Sequence, residues 1–203
     1  LNNKNFYNYN FTNINKVIVM GLNNKNNLEL VKNLDFLKKK NLFTFDKTKI
    51  IEILNSNNLI EKYYVFKNYP STLNIKIVKA NFLAMTSKNG NNFFLGSNGK
   101  LIKTENEDKS IPYIFGDFKN KNFFELKSVI DQTYFNYYEI KNLFFFKSGR
   151  WDIETKSGLL IKLPKNNLEK SFETIIEIIN QNPFEEINKI DLRQLNQIII
   201  DGR

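Results

Sequence analysis

The stretch that most constrains the fold is residues 63–85, where two strand-like runs are joined by a turn at Pro70 and continue into a third run. Leu73, Ile75 and Ile77 alternate with more polar positions, which is the period of two typical of a half-buried antiparallel strand. Proline is a turn-forming residue, so we expect the chain to reverse at this point. The segment therefore predicts a β-hairpin with one face in a hydrophobic core.

The chain before and through this hairpin predicts a β-α-α-β-β unit. Leu30, Leu34 and Leu37 recur at helical spacing, and Asp46 is suited to cap a second helix. The predicted elements are a strand at residues 16–20, helices at 27–38 and 47–54, and strands at 61–67 and 72–78.

The pattern then changes to short strands separated by turns. Asn89-Gly90 and Asn98-Gly99 are strong hairpin signals because both residues tolerate a positive φ. Two helices are expected within a meander of strands. The predicted strands are residues 82–86, 92–95, 100–102, 140–146, 151–155, 159–163, 187–192 and 197–200, and the predicted helices are 123–132 and 167–180.

The sequence thus predicts the α+β class. We expect an extended lead-in at residues 1–15, a β-α-α-β-β domain at 16–79, and at 80–203 a mostly antiparallel β domain with two helices and a C-terminal edge strand.

The composition excludes several classes of function but does not assign one. The net charge of +9 favours anionic partners. The chain has no Cys and no His, which excludes disulfides, thiolate chemistry and the commonest general base. There is no run of 18 apolar residues. Because the chain begins at Leu1 rather than Met, we expect that its natural N-terminus is missing, which leaves open whether an upstream anchor segment exists.

No catalytic constellation emerges from the motifs. Ser97 and Lys100 formally match an S-x-x-K pair, but Asn-Gly between them predicts a hairpin turn. Glu105, Glu107 and Asp108 lack the spacing of a calcium loop. There is no glycine-rich phosphate loop, and we expect no cofactor, no metal site and no enzymatic activity.

The mixture of lysines and aromatic residues leaves nucleic-acid binding open as an alternative, because such residues on a sheet hold single strands. The motif of the commonest RNA-binding sheet is missing, and the positive charge is spread along the chain. We therefore expect no nucleic-acid partner.

Residues 69–77, YPSTLNIKI, resemble the Y-P-x-T-L-x-I-x-I hairpin of the FtsQ/DivIB family of bacterial cell-division proteins. Upstream, residues 17–21, 41–43 and 63–65 are similar to the strand, N-L-F element and strand of that family's POTRA domain. Further matches in the same order are the turn at 98–100, Ile111-Pro112 with Gly116, the R-W-D-I run at 150–153, and I-D-L-R at 190–193.

Two positions depart from the family pattern. The run E-R-x-P-x-A expected between the two domains is K-A-N-F-L-A at residues 79–84, in which only Ala84 agrees. The aromatic residue that often follows D-L-R is Gln194 here, which removes a stacking contact at that position.

The resemblance implies a non-enzymatic scaffold of the divisome, with a single-pass anchor in the bacterial inner membrane and this part in the periplasm at the division septum. It also implies partners: the small coiled-coil proteins FtsB and FtsL, and through them the septal peptidoglycan synthesis machinery. A POTRA-containing protein of outer-membrane assembly is an alternative, although no second repeat is present.

The last predicted strand offers a physical route to partner binding. An unpaired strand edge exposes a row of N–H and C=O groups to which another chain can add. Arginines near it can fix the register against an acidic partner, although Arg193 can instead form a local ion pair with Asp191. The predicted partner-binding residues are Arg150, Trp151, Arg193, Gln194, Gln197, Ile198, Ile199 and Ile200.

Overall fold

Two separate clusters of buried side chains organise the chain. A computed structural model of the protein describes residues 12–181, 187–194 and 197–202. The first unit extends to Asn81 and includes Gly96–Lys100, and the second comprises Phe82–Leu95 and the chain from Leu101 onward. The mixed α+β class is confirmed.

The first unit is a three-stranded sheet with two α-helices in the order β-α-α-β-β, as predicted. Strand β3 is central, parallel to β1 and antiparallel to β2. The alternating Leu73, Ile75 and Ile77 of β3 are buried with apolar residues of both helices. The elements are β1 Lys16–Met20, α1 Asn24–Asn33, α2 Thr48–Ser56, β2 Ile60–Asn68 and β3 Thr72–Lys79.

The helices of this unit differ from prediction mainly at their ends. α1 stops at Asn33 and a single 3₁₀ turn, Asp35–Leu37, replaces its expected last turn. Leu30, Leu34 and Leu37 are buried, as they would also be in a continuous α-helix, so their spacing in the sequence does not distinguish an α-helical last turn from a 3₁₀ turn. The carboxylate of Asp46 accepts the backbone N–H of Thr48 at 2.9 Å, and this bond lowers the pKa of Asp46. The N-cap position of α2 is Lys47, so the prediction of Asp46 as the capping residue is wrong by one position.

The second unit is built on a nine-stranded sheet in the order β12-β11-β10-β9-β8-β7-β4-β5-β6. Its strands are β4 Phe82–Lys88, β5 Asn91–Gly96, β6 Leu101–Thr104, β7 Tyr113–Phe115, β8 Ile140–Phe145, β9 Trp151–Thr155, β10 Leu160–Lys162, β11 Ile187–Gln194 and β12 Gln197–Gly202. The helices α3 Asn120–Asp131 and α4 Leu168–Gln181 share one hydrophobic core with the strands.

The expectation of a mostly antiparallel domain with two helices is confirmed, but its strands do not form a meander, because three strand pairs are parallel. β7 was not predicted, and it lies parallel to both β4 and β8. β10 and β11 are also parallel, with α4 as the crossover between them. Parallel neighbours require a connection that returns across the sheet. This connection contains α3 between β7 and β8 and α4 between β10 and β11, whereas β5 and β6 lie between β4 and β7.

Some predictions fall outside the described residues. These are residues 1–11 of the expected lead-in and residues 182–186, 195–196 and 203 of the expected second domain. Among the described helices, none is both long and apolar enough to cross a membrane.

Candidate partner-binding site

Strand β12 forms one edge of the nine-stranded sheet. It pairs antiparallel with β11, and no other described strand lies along its outer side. Its six residues are all exposed, and Ile198, Ile199 and Ile200 expose 48%, 39% and 48% of their surface. An edge of this length with consecutive apolar side chains is a template for another strand.

The isoleucines of β12 lie on both faces of the sheet. Ile200 is opposite the buried Ile190, so Ile200 and Ile198 lie on the face that the helices cover. Ile199 is opposite Asp191 and lies on the other face. A strand added to this edge would therefore meet apolar side chains above and below the new row of backbone hydrogen bonds.

A groove of about 470 Å³ lies beside the start of β12. Among the described residues that line it, three are basic, Lys165, Lys170 and Arg193, and none is acidic. It therefore favours an anionic group. Its lining residues are Pro164, Lys165, Asn166, Asn167, Lys170, Ser171, Thr174, Leu192, Arg193, Gln194, Gln197 and Ile198.

Topology explains why the start of α4 borders this groove. α4 leaves the end of β10 and crosses back over the sheet to β11, which runs parallel to β10. β11 therefore ends at the same end of the sheet at which α4 begins. The crevice outside the carboxyl ends of parallel strands is a common position for binding sites.

Arg193 is held by a local ion pair. Its Nε donates to Asp191 Oδ1 at 2.8 Å and its Nη2 donates to Oδ2 at 2.6 Å, while its backbone N–H also donates to Oδ1. These bonds hold the pKa of Asp191 below its ordinary value and raise that of Arg193. The Arg193 side chain still exposes 40% of its surface, so it is oriented by Asp191 and remains open to a second carboxylate.

Asp191 belongs to a charged row on the face of the sheet opposite the hydrophobic core, and Asp152 and Asp191 of this row are buried. Lys162 of β10 is opposite both Asp191 of β11 and Asp152 of β9. Burial raises the pKa of Asp152, although Arg150, Lys162 and Arg193 act in the opposite direction. Two aspartates beside one lysine therefore have pKa values shifted in opposite directions.

The structure separates the predicted site residues into two groups. Arg193, Gln194, Gln197 and Ile198 line one groove, and the strand continues from it through Ile199. Arg150 is not among the residues that line the groove. Its guanidinium lies 4.0 Å from the ring centroid of Phe146 and its Nε donates to Asp152.

Trp151 is a core residue. It is 3% exposed and its ring centroid lies 4.7 Å from that of Phe145 and 6.1 Å from that of Phe118. A buried indole cannot meet a partner unless the core opens, so Trp151 is excluded from the partner surface proposed below.

Sequence reasoning missed the contribution of α4. Lys170 and Thr174 of α4 line the groove together with Lys165, which precedes the helix, and on the sequence Lys170 and Thr174 are polar residues of an ordinary amphipathic helix. Only the parallel pairing of β10 with β11 brings them beside Arg193, and a pairing between distant strands leaves no local signal.

The other candidate motifs have structural roles. Ser97 and Lys100 lie in the connection between β5 and β6, as the hairpin prediction required. Asp108 accepts the backbone N–H of Ser110 at 2.9 Å within its loop, and its pKa is lowered by its hydrogen bonds to Ser110. Over the described ranges, no three acidic side chains lie together in a way that could hold a metal ion.

Comparison with known proteins matches both units. Residues 12–79 match the POTRA domain, FtsQ-type, and residues 84–193 match the C-terminal domain of the cell division protein FtsQ/DivIB. The chain is 26% identical over 190 residues to cell division protein FtsQ of Rickettsia bellii (strain RML369-C), covering 91% of this chain and 70% of that protein.

Two further matches name DivIB proteins. Cell division protein DivIB of Staphylococcus aureus (strain NCTC 8325 / PS 47) is 32% identical over 104 residues, covering 50% of this chain and 24% of that protein. The major extracytoplasmic domain of DivIB from Geobacillus stearothermophilus is 12% identical with a TM-score of 0.37, covering 51% of this chain and 97% of that one. The two domain matches occur in the family's order, and the chain belongs to the FtsQ/DivIB family of bacterial cell-division proteins.

Proposed function

We propose that this protein is a non-enzymatic divisome scaffold that binds small coiled-coil division proteins of the FtsB and FtsL type and so helps recruit and regulate septal peptidoglycan synthesis. Membership of the FtsQ/DivIB family supports a role in division. The observation that carries the proposal is the exposed edge strand β12 beside a groove whose described lining residues include three basic and no acidic side chains.

In this mechanism a partner segment adds as the next strand along β12. The outward backbone groups of β12 supply affinity without regard to sequence, and Ile198, Ile199 and Ile200 supply apolar contacts on both faces. An acidic side chain of the partner meets Arg193, which Asp191 already orients, so little side-chain entropy is lost on binding.

The proposed scaffold role also implies where in the cell the protein lies. We place the two units in the periplasm at the division septum, anchored to the inner membrane by a single upstream helix. Such an anchor holds the edge near other single-pass division proteins and raises their effective concentration. Fusing a fluorescent protein to the full-length gene product and imaging dividing cells tests this placement.

Proline substitutions test the edge directly. Successive residues of an edge strand point their backbone N–H groups alternately toward the neighbouring strand and away from the sheet. Of the two variants Ile198→Pro and Ile199→Pro, one therefore loses an N–H group that points outward, and the other loses an N–H group that bonds to β11. The outward substitution should leave the melting temperature nearly unchanged and reduce binding of purified FtsB- and FtsL-type segments by at least about tenfold, as the loss of one good hydrogen bond implies.

The matched control is Ile102→Pro on β6, which is the opposite edge of the same sheet. It should leave partner binding intact, because it leaves the β12 edge unchanged. If the proline variant of β12 that keeps its stability binds the partners as tightly as the native chain, strand addition at this edge is wrong.

A further inference from the structure

The sheet of the first unit has one face away from its core. Val17, Val19 and the alternating apolar residues of β3 face the buried cluster. The intervening residues of all three strands therefore lie on the opposite face. We call this opposite surface the open POTRA face, and its central residues are Ile18, Met20, Lys62, Tyr64, Lys76 and Val78.

Apolar and basic side chains alternate on this face. Lys76 is opposite Met20 on one side and Tyr64 on the other, and Lys62 is opposite Val78. Phe66 follows on the same face as Tyr64, with the two ring centroids 6.5 Å apart. Tyr64 and Phe66 each expose about half of their surface, so these aromatic side chains are not part of the core.

The charge of the open POTRA face has one sign. Lys16, Lys62 and Lys76 lie on it, and the face positions paired across the three strands include no Asp or Glu. An occupant that complements this face is therefore anionic and has an apolar region that accepts methionine, valine and aromatic side chains.

The backbone narrows the choice of occupant. The central strand β3 is paired on both sides, so its hydrogen-bonding groups are used inside the sheet and the face offers side chains instead. Peptides are usually recognised at strand edges or in grooves, where backbone groups or deep pockets give register. A flat surface of lysines with tyrosine, phenylalanine and methionine instead suits a lipid interface, where aromatic rings lie at headgroup level and lysines reach anionic headgroups.

We propose that the open POTRA face binds the surface of an anionic phospholipid bilayer. The lysines provide attraction that falls with salt, and Tyr64, Phe66 and Met20 partition into the headgroup region. This contact is distinct from any membrane-spanning anchor and would orient the first unit against the bilayer.

The test is co-sedimentation of the 203-residue chain with vesicles of phosphatidylcholine containing phosphatidylglycerol, and with vesicles of phosphatidylcholine alone. The double variant Lys62→Gln, Lys76→Gln should bind the anionic vesicles about 30-fold more weakly, at roughly fivefold per lysine. The matched control is Lys25→Gln, Lys32→Gln, which removes the same charge from exposed positions of α1.

A second variant tests the apolar part of the face. Tyr64→Thr with Phe66→Thr keeps residues that favour strands, and it should also weaken binding while its circular dichroism stays native. Equal weakening by the face pair and the α1 pair would show attraction by net charge alone and would overturn the proposal. Absence of binding to anionic vesicles would also overturn the proposal. If the open POTRA face then bound a poly-glutamate peptide, its ligand would be an acidic peptide instead of a bilayer.

Discussion

Asp152 and Asp191 lie on either side of Lys162, yet their surroundings differ. Arg193 gives Asp191 a two-pronged ion pair, whereas Asp152 has one long contact of 3.4 Å with Arg150. We predict that the pKa of Asp191 lies below the ordinary aspartate value and that of Asp152 above it. Carbon-detected NMR titration of the two carboxyl groups measures both values.

The two shifts have opposite consequences for stability. The lowered pKa of Asp191 means that its contribution is present above the unfolded-state value and is lost as pH falls through the folded-state value. The raised pKa of Asp152 means that its ionisation costs stability as pH rises through the folded-state value. Near neutral pH, Asp152→Asn should therefore remove an unfavourable contribution to the free energy of unfolding, whereas Asp191→Asn should not. Titration of the two carboxyl groups at the same pH would contradict this prediction.

Individual residues also show that a sequence motif does not reveal whether its side chains are buried or exposed. Arg150 and Trp151 of the R-W-D-I run are predicted from sequence as partner-binding residues, but Trp151 lies in the core and Arg150 packs on Phe146. Side-chain type indicates which chemistry is available. Whether Trp151 faces the core or the solvent depends on which strands neighbour β9, and that is a tertiary property.

At the scale of elements, Gly116 fixes how β7 ends beside β8. Its φ is +100°, and a Cβ at this position would overlap the carbonyl oxygen of Phe145. We predict that Gly116→Ala lowers the free energy of unfolding by about 3 kcal/mol or more, because backbone strain and a steric clash add together. Chemical denaturation of the purified variant measures the loss.

Gly90 is the matched control for this substitution. Its φ is +74°, but the space around its missing Cβ is open. Gly90→Ala should therefore cost only the strain of a positive φ, about 1 kcal/mol. Equal losses in the two variants would show that the approach of Phe145 to Gly116 is unimportant.

The elements that could be predicted from the sequence are those with a local signal. Asn89-Gly90 indicated a hairpin because two residues with φ values of 53° and 74° are needed there, and that turn is present between β4 and β5. Strand β7 has only three residues between Pro112 and Gly116, too few to show a period. Its parallel pairing with β4 and β8 depends on contacts between distant parts of the chain, which no window of sequence contains.

At the scale of the whole molecule, the two hydrophobic cores have no residue in common. Ile75 is at the centre of the first core and Ile153 at the centre of the second, and both are fully buried. We predict that Ile75→Ala destabilises the first unit by about 2–5 kcal/mol, and that Ile153→Ala does the same to the second. Hydrogen exchange with peptide-level resolution locates each loss.

The two variants act as controls for one another. If each core stabilises its own unit, faster exchange should be confined to the unit that carries the substitution. Uniformly faster exchange across both units in either variant would show that they unfold as one. The change of pattern near residue 80, from helices between strands to closely spaced strands, is the sequence signal for two units. No local signal predicts that Gly96–Lys100 belongs to the first unit.

The exposed edge of β12 has a consequence for the amount of protein that a cell can hold. We expect that a bare strand with three consecutive isoleucines can pair with a copy of itself through the same backbone groups that a foreign strand would use. Self-pairing and partner binding therefore exclude each other. A cell that made this chain in excess of its partners would therefore accumulate self-associated protein. The position of β12 at the edge of its sheet thus requires that the chain and its partners be synthesised in matched amounts.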